Sequence, residues 1–310
     1  MPRFGASLPG VQQIPARAQA WEREIGGTQI VEAARMAERA GFDWVSCSDH
    51  VAVPVSRAAA MGASWFDAGS TLAFVAGATT RIRLLSHVLV LPYRHPLVIA
   101  KQYGTLDHLS GGRLILGVGS GHLRPEFKVL GADFERRGTV SDEYIRIFKT
   151  LWTQDPASFE GEFYRFEALR CLPQPVQKPH PPIWIGGHSA PALRRAARLG
   201  DGWHPVGANP AVPLRPAELR ASLDQLFRMT EAEGRDPSAL TISFKAPVYD
   251  PSVTTLTGSE RRPFSGTPQQ IADDIGAYEK AGVSELVFDF RSERLDDALE
   301  RMERFAQTIR

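Results

Sequence analysis

Asp49 and His50 stand side by side at the exit of an apolar run, Trp44-Val45-Ser46-Cys47-Ser48. A carboxylate beside an imidazole can orient the ring or raise its pKa, which suits proton transfer or hydrogen bonding to a ligand's polar edge. The plainer alternative makes Asp49 a turn cap and His50 a half-buried loop residue. Four more histidines, His87, His122, His188 and His204, also fall at or near the exits of strand-like runs. His95, His108 and His180 lie in helix-flanking or irregular stretches. Two glycine-rich segments accompany them. Gly117-Val118-Gly119-Ser120-Gly121 lets backbone N–H groups converge on an anion. It lacks the dinucleotide fingerprint spacing, however, and the pattern places no helix directly after it, so a tight turn explains it almost as well. Gly186-Gly187-His188-Ser189 stands immediately before a helical pattern, where phosphate binding is expected and simple strand-to-helix packing is the alternative. Trp65-Phe66-Asp67 could roof a flat ligand, whereas Trp44, Trp152, Trp184 and Trp203 read as core.

A metal-dependent hydrolase built from Asp49, His50, His87 and His204 is the contrasting reading. No two histidines show the His-x-His or His-x-x-x-His spacings that build many metal sites, so no metal is expected.

These residues need elements to position them. Apolar runs at 84–91 and 114–118 flank a helical pattern at 96–109, with Pro96 suited to a first helical turn and Ser110-Gly111-Gly112 as the stop. Nearly continuous Leu/Ile/Val runs are the mark of strands covered on both faces, as in a parallel sheet. The same strand-then-helix unit recurs along the chain. Strands are expected at 4–8, 44–48, 84–91, 114–118, 183–186, 203–206, 240–248 and 286–290. Helices are expected after each, the first opening at Thr28 and the seventh at a capping box, Thr267-Pro268-Gln269-Gln270. Eight such units favour a (β/α)8 TIM barrel over an open doubly wound sheet. One domain over 1–310 is expected, interrupted between helix four and strand five by an insertion, 153–182, that holds a possible hairpin. In such barrels functional groups gather at the carboxyl ends of the strands, where the five histidines fall.

Bulk composition narrows the classes. With 43% apolar and 23% charged residues and a net charge of +1, nothing points to nucleic acid or an anionic membrane. Only Cys47 and Cys171 occur, which speaks against a disulfide framework, and no apolar run is long enough to span a bilayer. A cytoplasmic setting is expected.

Three long stretches carry a resemblance: AERAGFDWVSCSDH (37–50), LLSHVLVLPYRHPLVIAKQYGTLDHLSGGRLILGVGSGHLRPEF (84–127) and PPIWIGGHSAPALRRAARLGDGWHPVG (181–207). In that order they resemble the bacterial luciferase-like monooxygenase superfamily, and most of all its coenzyme F420-dependent branch. The resemblance implies a tricyclic deazaflavin ring over the barrel mouth and hydride transfer to or from a small organic substrate. His50 would be the catalytic residue and Asp49 its neighbour at the ring. A non-prolyl cis peptide at His87–Val88, with Ser86 beside it, would bulge against the ring, and Gly186, Gly187 and His188 would approach the phosphate. Ser120 and His122 complete the expected cofactor contacts. Some sugar-phosphate dehydrogenases of the family have a glutamate where this chain has His122, so neither their general acid nor their substrate is carried over, and a substrate contact is the alternative role for His122. The alternative cofactor is FMN, in a two-component monooxygenase that uses oxygen and a separate reductase. Remoter still is a non-catalytic flavin-binding protein. The resemblance also implies a homodimer. Substrate determinants are expected in the loops 51–67, 122–138, 153–182 and 249–266.

Overall fold

The computed structural model describes residues 1–207, 214–246, 249–251 and 261–309. In chain order the strands are β1 (Arg3–Ser7), β2 (Trp44–Cys47), β3 (Arg83–Ser86), β4 (Leu89–Val90), β5 (Leu114–Gly119), β6 (Ala157–Glu160), β7 (Arg165–Leu169), β8 (Ile183–Gly186), β9 (Gly202–His204), β10 (Thr241–Lys245) and β11 (Glu285–Phe288). The helices are α1 (Gly27–Arg39), α2 (Val55–Met61), α3 (Ala68–Ala78), α4 (Pro96–Ser110), α5 (Arg124–Val129), α6 (Arg137–Thr153), α7 (Ala190–Leu199), α8 (Pro216–Ala232), α9 (Pro268–Ala281) and α10 (Leu295–Ile309).

Parallel pairing runs β1–β2–β3–β5–β8–β9–β10–β11 and returns to β1, so eight staves close into a (β/α)8 barrel. β3 and β4 are one stave interrupted where the His87–Val88 peptide bond is cis. The antiparallel pair β6–β7 stands apart from the barrel, in the stretch where the sequence suggested a hairpin.

Period-two alternation sorts each stave into an outer and an inner set. The outward residues, such as Leu84, Leu114, Leu116, Ile183 and Ile185, pack under the helices in the main core. Trp44, Leu85, Ile115, Trp184 and Val287 fill the interior as a separate cluster. Above this layer the inward positions turn small or polar: Ser46, Gly117, Gly186, His204, Ser243 and Lys245. The strands read as apolar because their outer faces and lower interiors are; the polar exceptions mark the upper interior.

Local signals account for most helix ends. At the start of α9 the Thr267 hydroxyl accepts from the Gln270 backbone N–H at 3.3 Å, and the Gln270 side-chain Oε1 accepts from the Thr267 N–H at 2.9 Å. α4 opens at Pro96 and stops at Gly111, whose φ is 70°. One expectation shifts: Thr28 lies inside α1, which opens at Gly26, whose N–H donates to Gln29 at 3.1 Å. Two short helices, α2 and α5, occupy stretches expected to be irregular, 51–67 and 122–138. Half of the expected loop 249–266, residues 252–260, lies outside the described residues. Among the described residues no helix is long and apolar enough to cross a membrane.

Candidate active site

The carboxyl ends of the staves surround a cavity of about 900 Å³. That is toward the upper end of the size range of small-molecule pockets, roughly 300–1,000 Å³. Asp49, His50, His87, Val88, Ser120, His122, Gly186, Gly187 and His188 all line it. Ser86 does not. Its hydroxyl is buried and donates to the Gly117 carbonyl at 2.8 Å, bracing β3 against β5.

Asp49 and His50, adjacent in sequence, have separate partners. The Asp49 carboxylate accepts both arms of the Arg94 guanidinium at 2.8 Å and the Val90 N–H at 3.1 Å. Arg94 also reaches Asp67 at 2.9 Å, so this fork ties the ends of β2 and β4 to the start of α3. The carboxylate that holds His50 is Glu126, from α5: its Oε2 lies 2.7 Å from His50 Nδ1. Its Oε1 accepts from the Val51 and Ala52 N–H groups at 2.7 and 3.0 Å. Glu126 is fully buried, which by itself would raise its pKa. The bonds from His50 and Ala52 outweigh that and hold it below the usual carboxylate range. An ionised Glu126 accepts from Nδ1–H, which leaves Nε2 as the ring nitrogen available for proton exchange. The Trp65 ring stands against His50 with centroids 4.5 Å apart, and the His122 ring is 5.9 Å away. Partial burial, then the neighbouring His50, lowers the pKa of His122.

Sequence reasoning missed Glu126. It sits on a six-residue helix too short for periodicity to reveal, and the only available signal was an acidic residue closely following the expected strand exit.

The glycines of the cavity floor have identifiable neighbours. A Cβ on Gly119 would meet the Val88 side chain at 2.8 Å, and one on Gly186 would meet it at 2.9 Å. Val88, which follows the cis bond, therefore rests on two glycine staves. Gly117 faces the Ser86 carbonyl, where a Cβ would come within 2.1 Å. Close packing explains the glycine-rich run 117–121. At the other glycine segment, Gly187 (φ 95°) and Ser189 lead into α7, whose first N–H groups lack intrahelical partners. His188, Arg137 and Arg195 line the cavity nearby. Arg195 is held by Asp142 and donates to the Gly138 carbonyl at 2.8 Å.

Polar groups continue into the barrel floor. His87 Nδ1 lies 2.5 Å from His204 Nε2, and His204 Nδ1 lies 2.8 Å from the Ser243 hydroxyl. Burial, then the nearby His204 and Lys245, keeps His87 well below its usual pKa. Burial, followed by the Lys245 charge, pushes His204 down to about 3. Both rings are neutral at pH 7. Lys245, unnoticed in the sequence, lines the cavity beside them.

Among the described residues no group of three or more His, Cys, Asp or Glu is placed to hold a metal ion. The residues do suit a flat, phosphate-bearing cofactor. Val88 and Trp65 offer apolar surface, the glycine cradle would be filled by any Cβ, and a helix N-terminus stands at one end. Among the described residues the buried Ser120 hydroxyl has no hydrogen-bond partner, a donor and acceptor available to a ligand.

The luciferase-like monooxygenase family matches residues 3–250. An uncharacterized protein of Mycobacterium tuberculosis is 30% identical over 91% of this chain and 94% of its own length. An FMNH2-dependent dimethylsulfone monooxygenase of Pseudomonas putida is 32% identical over 65% of this chain, which spans 53% of that protein. Among solved structures, an F420-dependent secondary alcohol dehydrogenase in complex with an F420–acetone adduct superposes with a TM-score of 0.77. It covers 100% of this chain and 99% of its own, at 17% identity.

Proposed function

The chain belongs to the luciferase-like monooxygenase family, and from that premise we propose a hydride-transferring oxidoreductase that seats the deazaflavin coenzyme F420 in this cavity, with His50 moving the accompanying proton. The observation that carries the reading is the His50–Glu126 pair, an imidazole on the cavity wall whose far nitrogen is fixed by a buried carboxylate.

Bound there, the coenzyme supplies a hydride donor or acceptor. The protein's residues do the rest. Val88 on its glycine seat and Trp65 present apolar surface to the ring, and Ser120 offers a hydrogen bond. The α7 N-terminus, with Gly187 and His188, receives the phosphate. Glu126 keeps the proton of His50 on Nδ1, so Nε2 takes or gives the proton that balances hydride transfer. Burial of His50 and Glu126 keeps water from competing for that proton.

The second reading, an FMNH2-dependent monooxygenase served by a separate reductase, is favoured by the 32% identity to the dimethylsulfone enzyme. Both readings use the same seat. A homodimer and a cytoplasmic setting belong to either. Fluorescence titration with F420 and FMN side by side tests the choice. The proposal expects the deazaflavin to bind more tightly; tighter FMN binding would favour the monooxygenase, and no binding of either would overturn both.

A further inference from the structure

Building on that cofactor reading, we propose that the substrate carries a carboxylate, received by the Lys245 ammonium on the cavity wall between β10 and β1. Lys245 lines the cavity yet is only 6% exposed. Its Nζ donates to the neutral Ser7 hydroxyl at 2.5 Å, and among the described residues it forms no ion pair. A buried cation without a counter-ion is costly. The Asp289 carboxylate acts on Lys245 with opposite charge, but it lies 2.9 Å from Arg291 Nε and is shared with that guanidinium. Arg291 and Arg17 act on the same ammonium with like charge, and Arg17 also lines the cavity. His87 and His204, packed beside them, are neutral. Among the described residues the Lys245 ammonium therefore has a hydroxyl as its hydrogen-bond partner and no carboxylate within ion-pair distance.

An anionic oxygen supplies the missing charge, and a carboxylate does so with acceptor geometry that an ammonium matches. The phosphate seat at α7 follows β8, two staves from β10, so a second anionic group has its own place. An anionic oxygen of the coenzyme offers the same chemistry, and the test separates the two sources.

Calorimetric titration of the coenzyme-free protein with benzoate and hexanoate, each against its primary amide, is the first arm. At pH 7 the acids are expected to bind about tenfold or more tightly than the amides. Burial pushes the Lys245 pKa down to about 8, so the preference should fade as pH rises beyond that value. Lys245→Met should abolish it, and Lys245→Arg should keep part of it. Equal binding of acid and amide, no binding by either acid, or a preference that survives Lys245→Met overturns the assignment. The second arm titrates Lys245→Met with F420 and with FMN. Unchanged coenzyme affinity is expected. Its loss would give the ammonium to the coenzyme, overturning the substrate assignment while leaving the cofactor reading intact. Should neither coenzyme bind the parent protein, the cofactor reading fails, and the acid-over-amide comparison still stands or falls alone.

Discussion

At the scale of single residues, Asp49 and His50 divide labour in a way their adjacency concealed. Neighbouring residues on extended chain turn their side chains to opposite sides. Here Asp49 serves Arg94 and Val90, while a carboxylate 76 positions along the chain serves His50. The sequence made the imidazole legible and misassigned its partner, because no local pattern reports a contact made through tertiary folding. Two outcomes follow with any substrate that turns over. His50→Ala should keep the fold and most of the coenzyme affinity while turnover drops by about 10²–10⁴, the usual worth of a general acid or base. Glu126→Gln should lose less, on the order of tenfold to hundredfold, as for outer partners that orient an imidazole. Combined, they should cost little more than His50→Ala alone, because they act as one unit. Steady-state rates with a coenzyme titration on each variant check this, and a fully active His50→Ala would remove the assigned role. Asp49→Asn should instead reveal itself in stability. It weakens the buried bidentate pair with Arg94, and a loss of about 3 kcal/mol or more in denaturant unfolding is the expected scale for breaking such a pair.

At the scale of elements, the long helices and staves were readable because their periodicity extends over many residues. Pro96, Thr267 and Gln270 fall at the helix starts they signalled. The short helices α2 and α5 were not readable: seven and six residues give too few turns for a pattern, and tertiary packing rather than propensity holds them. The glycines of 117–121 were visible, but glycine alone cannot distinguish an anion cradle from close packing. Neighbours decide it, and Val88, Ser86 and Phe127 are those neighbours. Gly186→Ala tests the seat. Its Cβ would strike Val88, at an expected cost of about 1–3 kcal/mol of overpacking. Displacing Val88 should also weaken coenzyme binding. Thermal melts and the fluorescence titration read the two effects, and an alanine variant unchanged in both would show that the seat is not tight.

Across the whole molecule, eight strand-then-helix units announced a closed barrel because an alternating βα rhythm of that length has few other solutions. Its charged lower end was not legible. There Glu285 is fully buried and paired with Arg3, and among the described residues its second carboxylate oxygen has no hydrogen-bond partner. Burial raises its pKa to about 7, although Arg3 and Arg83 pull the other way. A carboxyl whose pKa is raised on folding stabilises fully below its unfolded value, near 4.5, and that contribution disappears as pH climbs through about 7. The parent should therefore lose about 1–3 kcal/mol between pH 4.5 and pH 8 from this group. Glu285→Gln should flatten that decline in unfolding curves taken across the range; equal slopes would contradict the assignment.

The most direct test of the account is a crystal structure of the protein with F420 bound. The coenzyme's ring should rest against Val88 with a ring atom within reach of His50 Nε2, directly or through one water, and its phosphate at the start of α7. A ring seated elsewhere, or His50 Nε2 facing away from it, would contradict the account.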